Sequence, residues 1–174
     1  MGVEGLSINL ACRWGVDPQK VMLAALLHDF AKGEPKDSLL AGLDRCVDFP
    51  ATDEDRQHPE LWHGLVAAQI ALDEFGVTDA EVRQAVAHHT TGIPGMGPVG
   101  LTLYVADTFE PTRRFPGVET LRRQVEQLDM MAAARLAAET KLNLLADKHR
   151  NVHSNTHRMA EWLHAAGPTL TSGV

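Results

Sequence analysis

The chain has 174 residues, of which 44% are hydrophobic and 22% are charged, and this composition predicts one compact domain over 1–174. A net charge of −7 argues against broad nucleic-acid binding, which usually requires a basic surface. Cys12 and Cys46 form no CxxC motif, so neither a thiolate zinc site nor a disulfide framework is expected. The apolar runs are too short to cross a bilayer and no basic leader is present, which predicts a soluble, cytoplasmic protein without membrane contact.

The first 57 residues predict helices followed by a loop. Asp17 and Pro18 are typical of a helix N-cap and first position, so a helix is predicted to begin there and to run through 21–32. The C-terminal half of this helix is apolar nearly all round, which predicts that it is the buried centre of the fold. The other predicted segments are a helix before Gly15, a helix over 37–43 and a loop over 44–57.

The rest of the chain also predicts helices. Residues 99–109 are apolar and moderately β-prone, but no partner strand is predicted nearby, so we predict a helix there. The alanine-rich stretch 118–146 predicts one amphipathic helix with a break near Leu128. Further helices are predicted over 59–75, 80–89 and 154–166, and the tail from about 167 is predicted to be frayed. The predicted fold class is therefore all-α.

Histidines and aspartates recur at predicted helix ends and within apolar segments. His28 and Asp29 lie together near the end of one predicted helix, and Asp107 lies inside the apolar run LTLYVADTFEP. A buried aspartate is costly unless another group compensates its charge, and a metal ion with imidazole ligands does so. At a frayed helix end, His28 and Asp29 could both face one cavity, where the two oxygens of the carboxylate could bridge two metals.

Each of these residues also has a structural interpretation. A histidine at a helix C-terminus is stabilised by the negative end of the helix dipole, which would explain His28 without any metal. Asp107 could be a helix N-cap or form a buried salt bridge with an arginine. Three further residues in the same pattern, His63, His88 and His89, favour the metal site over these alternatives.

Several motifs in the same order resemble the HD superfamily of metal-dependent phosphohydrolases. HD alone is a weak motif, but HD followed by HTTG, ADxxEPxR and FPGVE is specific. More narrowly, the chain resembles the YqeK-type branch, the bacterial symmetrical diadenosine tetraphosphate hydrolases. The similarity runs through nearly the whole chain and implies an HD-domain helical bundle. The segments that resemble this branch are LAALLHDFAKGEP, LWHGLVAAQIALDEFGVTD, AVAHHTTGIPGMGPVGLTLYVADTFEPTRRFPGVETLR and LADKHRNVHSNT.

The resemblance implies a dinuclear metal centre with five ligands. Asp29 would bridge the two metals, His28 and Asp107 would bind the first metal, and His63 and His89 would bind the second. His89 is preferred over His88 because it is the histidine of the HTTG motif. The family implies iron, and nitrogen and oxygen ligands without thiolate also suit manganese, cobalt or nickel.

The resemblance also implies which residues act on the substrate. Asp29 and Lys32 are the expected catalytic residues, and Lys32 could also contact a phosphate oxygen. The guanidinium fork of Arg113 could bind phosphate, although a solvated surface charge is the alternative for this residue. The expected substrate-binding residues are Lys32, Thr90, Thr91, Gly92 and Arg113.

The chain departs from the family at its first histidine, whose position corresponds to Gly2. Glycine offers no side-chain ligand, and since the other ligands are present we expect an N-terminus shortened relative to the family. The first metal would then bind weakly or use water, an anion or another group as its ligand.

The activity implied by the resemblance is hydrolysis of diadenosine tetraphosphate to two ADP by a metal-activated hydroxide. The expected partner is a small nucleotide substrate, and His153 is expected to line its pocket. Another HD nucleotidase is the alternative within enzymes. A metal-poor nucleotide-binding regulatory module is the alternative outside them. Because dimers are common among helical domains of this kind, a homodimer is expected as an alternative to a monomer.

Overall fold

The computed structural model describes residues 2–147 and 151–166, and the tail predicted to fray from about 167 lies outside them. Within these ranges the chain forms helices and no strand, which confirms the all-α prediction. No helix in the described part of the chain is long and apolar enough to cross a membrane. The helices are α1 Val3–Trp14, α2 Pro18–Leu27, α3 Lys36–Leu43, α4 Asp53–Arg56, α5 Trp62–Asp73, α6 Ala80–His88, α7 Pro98–Phe109, α8 Val118–Val125, α9 Met130–Asp147 and α10 Ser154–Ala165, with a 3₁₀ turn at Pro59–Leu61.

Helix α7 is the centre of the fold, and it confirms the helix predicted over 99–109. Every residue from Val99 to Phe109 is buried. Val99 and Leu103 belong to a hydrophobic cluster formed largely by α2, α5 and α6. Leu101 and Tyr104 belong to a second cluster, to which α9 and α10 contribute. Because α7 lies between two apolar layers, its sequence is apolar on all sides rather than along one stripe.

The prediction that the helix through 21–32 is the buried centre is wrong. Helix α2 ends at Leu27, and residues 28–33 form successive turns. The side chains of Leu26 and Phe30 are exposed by 58% and 53%. Helix α2 packs against α1, α6 and α7 and buries one face through Val21 and Ala24, while its other face is exposed. An apolar composition does not distinguish a helix that is buried on all sides from one that exposes apolar residues on one face.

The remaining elements differ from the predictions mainly at their boundaries. The segment predicted as a loop over 44–57 contains the four-residue helix α4, which a Thr52–Asp55 capping box starts. The break predicted near Leu128 is confirmed, because α8 ends at Val125 and α9 begins at Met130. Asp17 and Asp79 cap α2 and α6 by accepting hydrogen bonds from backbone N–H groups of the first turn.

The close approach of α5 to α6 depends on a glycine beside a histidine. A Cβ atom at Gly64 would lie 2.7 Å from the carbonyl oxygen of Ala87 and 3.2 Å from that of Val86. These distances leave no room for a side chain between the two backbones. The glycine therefore allows His63, the residue before it, to approach His89 at the end of α6.

Replacing Gly64 with alanine is expected to destabilise the fold, because the added methyl group must separate α5 from α6. We expect Gly64→Ala to lower the free energy of unfolding by about 1–3 kcal/mol in urea denaturation. Gly33→Ala is the matched control, since a Cβ atom at Gly33 meets nothing within 4 Å. Equal stability of the two variants would contradict the close-packing interpretation.

Candidate active site

The three histidines of the site share one hydrogen-bond pattern. Nδ1 of His28 lies 2.7 Å from the carbonyl oxygen of Ala25, and Nδ1 of His89 lies 2.9 Å from that of Val86. Nδ1 of His63 lies 3.0 Å from the carbonyl oxygen of the residue three positions earlier. A carbonyl oxygen can only accept, so each Nδ1 carries the proton and each Nε2 presents a lone pair. This is the tautomer in which imidazole binds a metal through Nε2.

The Nε2 atoms converge on the carboxylate of Asp29. His28, Asp29 and His89 each place one potential ligand atom within 4.8 Å of the other two. Nε2 of His63 lies 3.2 Å from Nε2 of His89 and 3.3 Å from Oδ1 of Asp29. The structure thus brings together four of the five expected ligands, and it groups His28 with His89 rather than with Asp107.

The donor set fits a metal ion. Buried Oδ1 of Asp29 makes no hydrogen bond, although imidazole nitrogens surround it. The Nε2 lone pairs of His63 and His89 face each other, an arrangement that a cation between them would stabilise. Burial lowers the pKa of the fully enclosed His89, which favours the neutral imidazole that a metal requires.

The carboxylate of Asp29 remains ionised at the edge of this group. Burial alone would raise the pKa of Asp29. Hydrogen bonds from His63 and His89, which require protonated rings, and from Lys32 outweigh burial and hold the pKa well below its usual range. The ammonium of Lys32 lies 2.7 Å from Oδ2 of Asp29, and the Lys32 side chain is 57% exposed. Lys32 therefore neutralises the carboxylate and is also free to meet an anion from the solvent side.

Asp107 is buried nearby but pairs with cations. Arg113 donates hydrogen bonds to the carboxylate of Asp107 at 2.5 Å and to its backbone carbonyl at 2.9 Å. Lys141 lies 3.7 Å from the other carboxylate oxygen. Burial alone would raise the pKa of Asp107, but the charges of Lys141, His89 and Arg113 lower it to about 2. The salt bridge considered as the structural alternative for Asp107 is therefore present.

Lys141 is a further residue of the site that no sequence motif singled out. Its ammonium is enclosed, lies 3.0 Å from the carbonyl oxygens of both His89 and Thr90, and sits 3.9 Å from the centre of the Tyr104 ring. Burial lowers the pKa of Lys141 to about 8. The spacing could have revealed it, because Lys141 follows Ala137 and Ala138 by four and three residues on the buried face of α9.

Two cavities adjoin the site. The first, here the histidine cavity, has a volume of about 260 Å³, and its walls include Lys32, His63, His89 and Thr91. The second, here the Phe115 cavity, has a volume of about 300 Å³, and its walls include Phe115 and Lys141. Four residues line both cavities and so form the boundary between them: Thr90, Asp107, Arg113 and Leu145.

The expected substrate-binding residues are distributed unevenly around these cavities. Lys32, Thr90, Thr91 and Arg113 line the histidine cavity. Gly92 is not among the lining residues of either cavity. It has a φ of +68°, and a Cβ atom there would lie 2.6 Å from the side chain of Met159. Its structural contribution is therefore a left-handed turn after His89 that packs against α10.

The histidine cavity is also lined by polar residues outside the expected ligand set. His153 lines the cavity, as expected, and its Nε2 lies 3.1 Å from a carboxylate oxygen of Asp55. His58 and Glu60 also line the cavity, with Nδ1 of His58 3.3 Å from the Glu60 carboxylate. The sequence did not single out His58 and Glu60, because one polar residue at or just before the start of a predicted helix is no signal of a binding site.

Comparisons with known proteins show the family to which the chain belongs. The HD domain family matches residues 1–148. The symmetrical bis(5'-nucleosyl)-tetraphosphatase of Bacillus subtilis is 37% identical over 94% of this chain and 86% of its own length. The protein of the same name from Halalkalibacterium halodurans is 33% identical over 90% of this chain and 82% of its own length.

A solved structure gives the same result for the fold. A Clostridium acetobutylicum protein, described as a predicted HD superfamily hydrolase involved in NAD metabolism, superimposes with a TM-score of 0.83. It is 30% identical, and the match covers 94% of this chain and 86% of that one. The chain therefore belongs to the HD-domain family and, within it, to the family of the symmetrical bis(5'-nucleosyl)-tetraphosphatases.

Proposed function

We propose that the protein is a metal-dependent phosphohydrolase that cleaves diadenosine tetraphosphate at its centre to give two ADP. The observation that supports this most directly is the convergence of three imidazole Nε2 atoms on the Asp29 carboxylate, with every Nδ1 bound to a backbone carbonyl. The names of the relatives from Bacillus subtilis and Halalkalibacterium halodurans support the same substrate and the same position of cleavage.

In the proposed reaction, the oxygen of water attacks one of the two inner phosphorus atoms. The bond between that phosphorus and the central bridging oxygen breaks. One ADP keeps the bridging oxygen and the other ADP receives the oxygen of water, so the two products are identical nucleotides and protons are released. The leaving group is itself a nucleoside diphosphate, and it needs no strong acid to depart.

The residues that would hold the metal centre are His28, Asp29, His63, His89 and Asp107. A metal centre supplies Lewis-acid charge for the phosphoryl group and acidifies the attacking water. Iron is the proposed metal, and manganese, cobalt or nickel are the alternatives that the same nitrogen and oxygen ligands suit. For Asp107 to act as a ligand, one lone pair of its carboxylate must remain available beside the contacts with Arg113 and Lys141.

The chain's own cations position the polyphosphate. Lys32 faces the histidine cavity from beside Asp29, and Arg113 faces it from the boundary with the Phe115 cavity. Both can bind phosphate oxygens, and the planar fork of Arg113 suits two oxygens at once. The hydroxyl of Thr90 lies 3.0 Å from Nε2 of His89 and borders both cavities, which suits a contact near the cleaved bond.

The alternatives are less well supported. The relatives favour a tetraphosphatase over another HD nucleotidase, and the intact group of imidazoles favours a hydrolase over a metal-poor binding module. The homodimer and the cytoplasmic location stay predictions.

The proposed function predicts a specific product pattern. The metal-loaded protein should convert diadenosine tetraphosphate to ADP as the sole nucleotide product, measured by ion-exchange chromatography. Removal of the metal with a chelator should abolish the activity. His63→Ala should lower kcat by more than about a hundredfold and reduce metal content, because it removes a ligand.

His164→Ala is the matched control for His63→Ala, because His164 is 55% exposed and pairs with Glu139 on the surface. This variant should retain activity and metal. ATP and AMP as products would contradict central cleavage. Absence of cleavage by the folded, metal-loaded protein would instead favour the nucleotide-binding module.

Lys141 is expected to support the metal centre without being a ligand. Lys141→Met keeps a long apolar side chain but removes the donor to the carbonyl groups of His89 and Thr90 and the charge beside Asp107. We expect metal affinity to fall about 10- to 100-fold, in the range typical of groups that orient metal ligands. Metal titration of the apo-protein measures this effect.

Lys36→Met is the control for this charge removal, since Lys36 is exposed at the start of α3. Lys141→Arg retains the charge and should recover part of the metal affinity. If the metal affinity of Lys141→Met is unchanged, Lys141 contributes to fold stability and not to metal binding.

A further inference from the structure

The Phe115 cavity shares a wall with the histidine cavity, which the candidate ligands His63 and His89 line. Of these two cavities, His63 and His89 line the histidine cavity alone. Arg114, Phe115 and Leu144 line the Phe115 cavity alone. Thr90, Asp107, Arg113 and Leu145 border both. A ligand that extends across this shared wall beside Arg113 can therefore occupy both cavities, with one end near His63 and His89 and the other end near Phe115.

The chemistry of the Phe115 cavity suits a nucleotide. Three cations, Arg113, Arg114 and Lys141, line it together with one carboxylate, Asp107. The remaining walls include an aromatic ring and the aliphatic side chains of Leu144 and Leu145. Cationic groups beside an aromatic and aliphatic surface match a ligand that joins phosphate to a flat base.

Central cleavage requires space on both sides of the metal ligands. If the bond that breaks is the middle one, substrate of equal length extends in both directions from it. Ligand pockets commonly have volumes of about 300–1,000 Å³, so neither cavity exceeds the lower end of that range. The histidine cavity alone offers about 260 Å³, which favours its use for one half of the substrate.

We infer that the Phe115 cavity binds one nucleoside half of the dinucleotide while the other half lies in the histidine cavity. Phe115 and Leu144 contact the base of that half, and Arg114 contacts the phosphate that is nearest to the nucleoside. Arg113, at the boundary, contacts the phosphates on either side of the cleaved bond. This inference rests on the proposed function, because it assigns a place to the second half of that substrate.

The number of ADP molecules bound per chain tests the inference. Each product occupies one cavity, so the metal-loaded protein should bind two ADP in equilibrium dialysis at saturating concentration. Leu144→Trp fills the Phe115 cavity and should bind one. The single ADP retained in the histidine cavity also shows that this variant is folded. Leu40→Trp, at an exposed leucine of α3, is the matched control and should bind two.

Kinetics provide a second readout. Phe115→Ala should raise KM for diadenosine tetraphosphate about tenfold, the loss expected when one base loses an aromatic contact. Phe75→Ala removes an equally large ring that is 51% exposed and lines neither cavity, and it should leave KM unchanged.

Two results would overturn the inference alone: a single ADP site in a wild-type protein that cleaves the substrate centrally, or two ADP sites in Leu144→Trp. Failure of the metal-loaded wild-type protein to produce ADP would overturn the proposed function and this inference with it. Product analysis on the wild-type protein therefore separates the two failures before any variant is made.

Discussion

The hydrogen bond from each imidazole to a carbonyl three residues earlier is the constraint on which the site depends. His28 and His89 follow directly on the last residues of α2 and α6, where carbonyl groups lack partners within the helix. Their Nδ1 atoms use these free carbonyls, of Ala25 and Val86, as acceptors. The end of each helix thus fixes both the tautomer and the orientation of the ring. If α2 continued to Lys32, the carbonyl of Ala25 would be used within the helix and His28 would lose this partner.

A second constraint is the pair of opposite charges between α7 and α9. Asp107 on α7 is buried and Lys141 on α9 is half-buried, and neither charge would be stable alone in an apolar interior. Their ammonium and carboxylate groups lie 3.7 Å apart, and Lys141 also binds the carbonyls of His89 and Thr90. One cation thereby connects the end of α6 to the central helix. This connection places the carboxylate of Asp107 in the wall that both cavities share.

Sequence patterns predicted the helices well and the environment of each helix less well. Capping residues such as Asp17 and Asp79 act locally, so the helix starts could be predicted from a few neighbouring residues. Burial depends on which elements pack together, and for this reason apolar α2 was assigned to the centre that α7 occupies. The resemblance supplied the ligand residues, but it could not show that Asp107 pairs with Arg113. Such a contact depends on side-chain geometry across a turn and not on residue type.

The net charge of −7 argues against broad nucleic-acid binding, but it does not show whether a highly charged nucleotide can bind at one site. Lys32, Arg113, Arg114 and Lys141 are concentrated around two small cavities, while most acidic residues lie elsewhere on the surface. Asp29 and Asp107, the acidic residues closest to these cations, are paired with Lys32 and Arg113. A polyphosphate that binds Lys32 and Arg113 would release both carboxylates from these pairings, and a cation could then bind them. Substrate and metal would then stabilise each other's binding, although the protein as a whole is acidic.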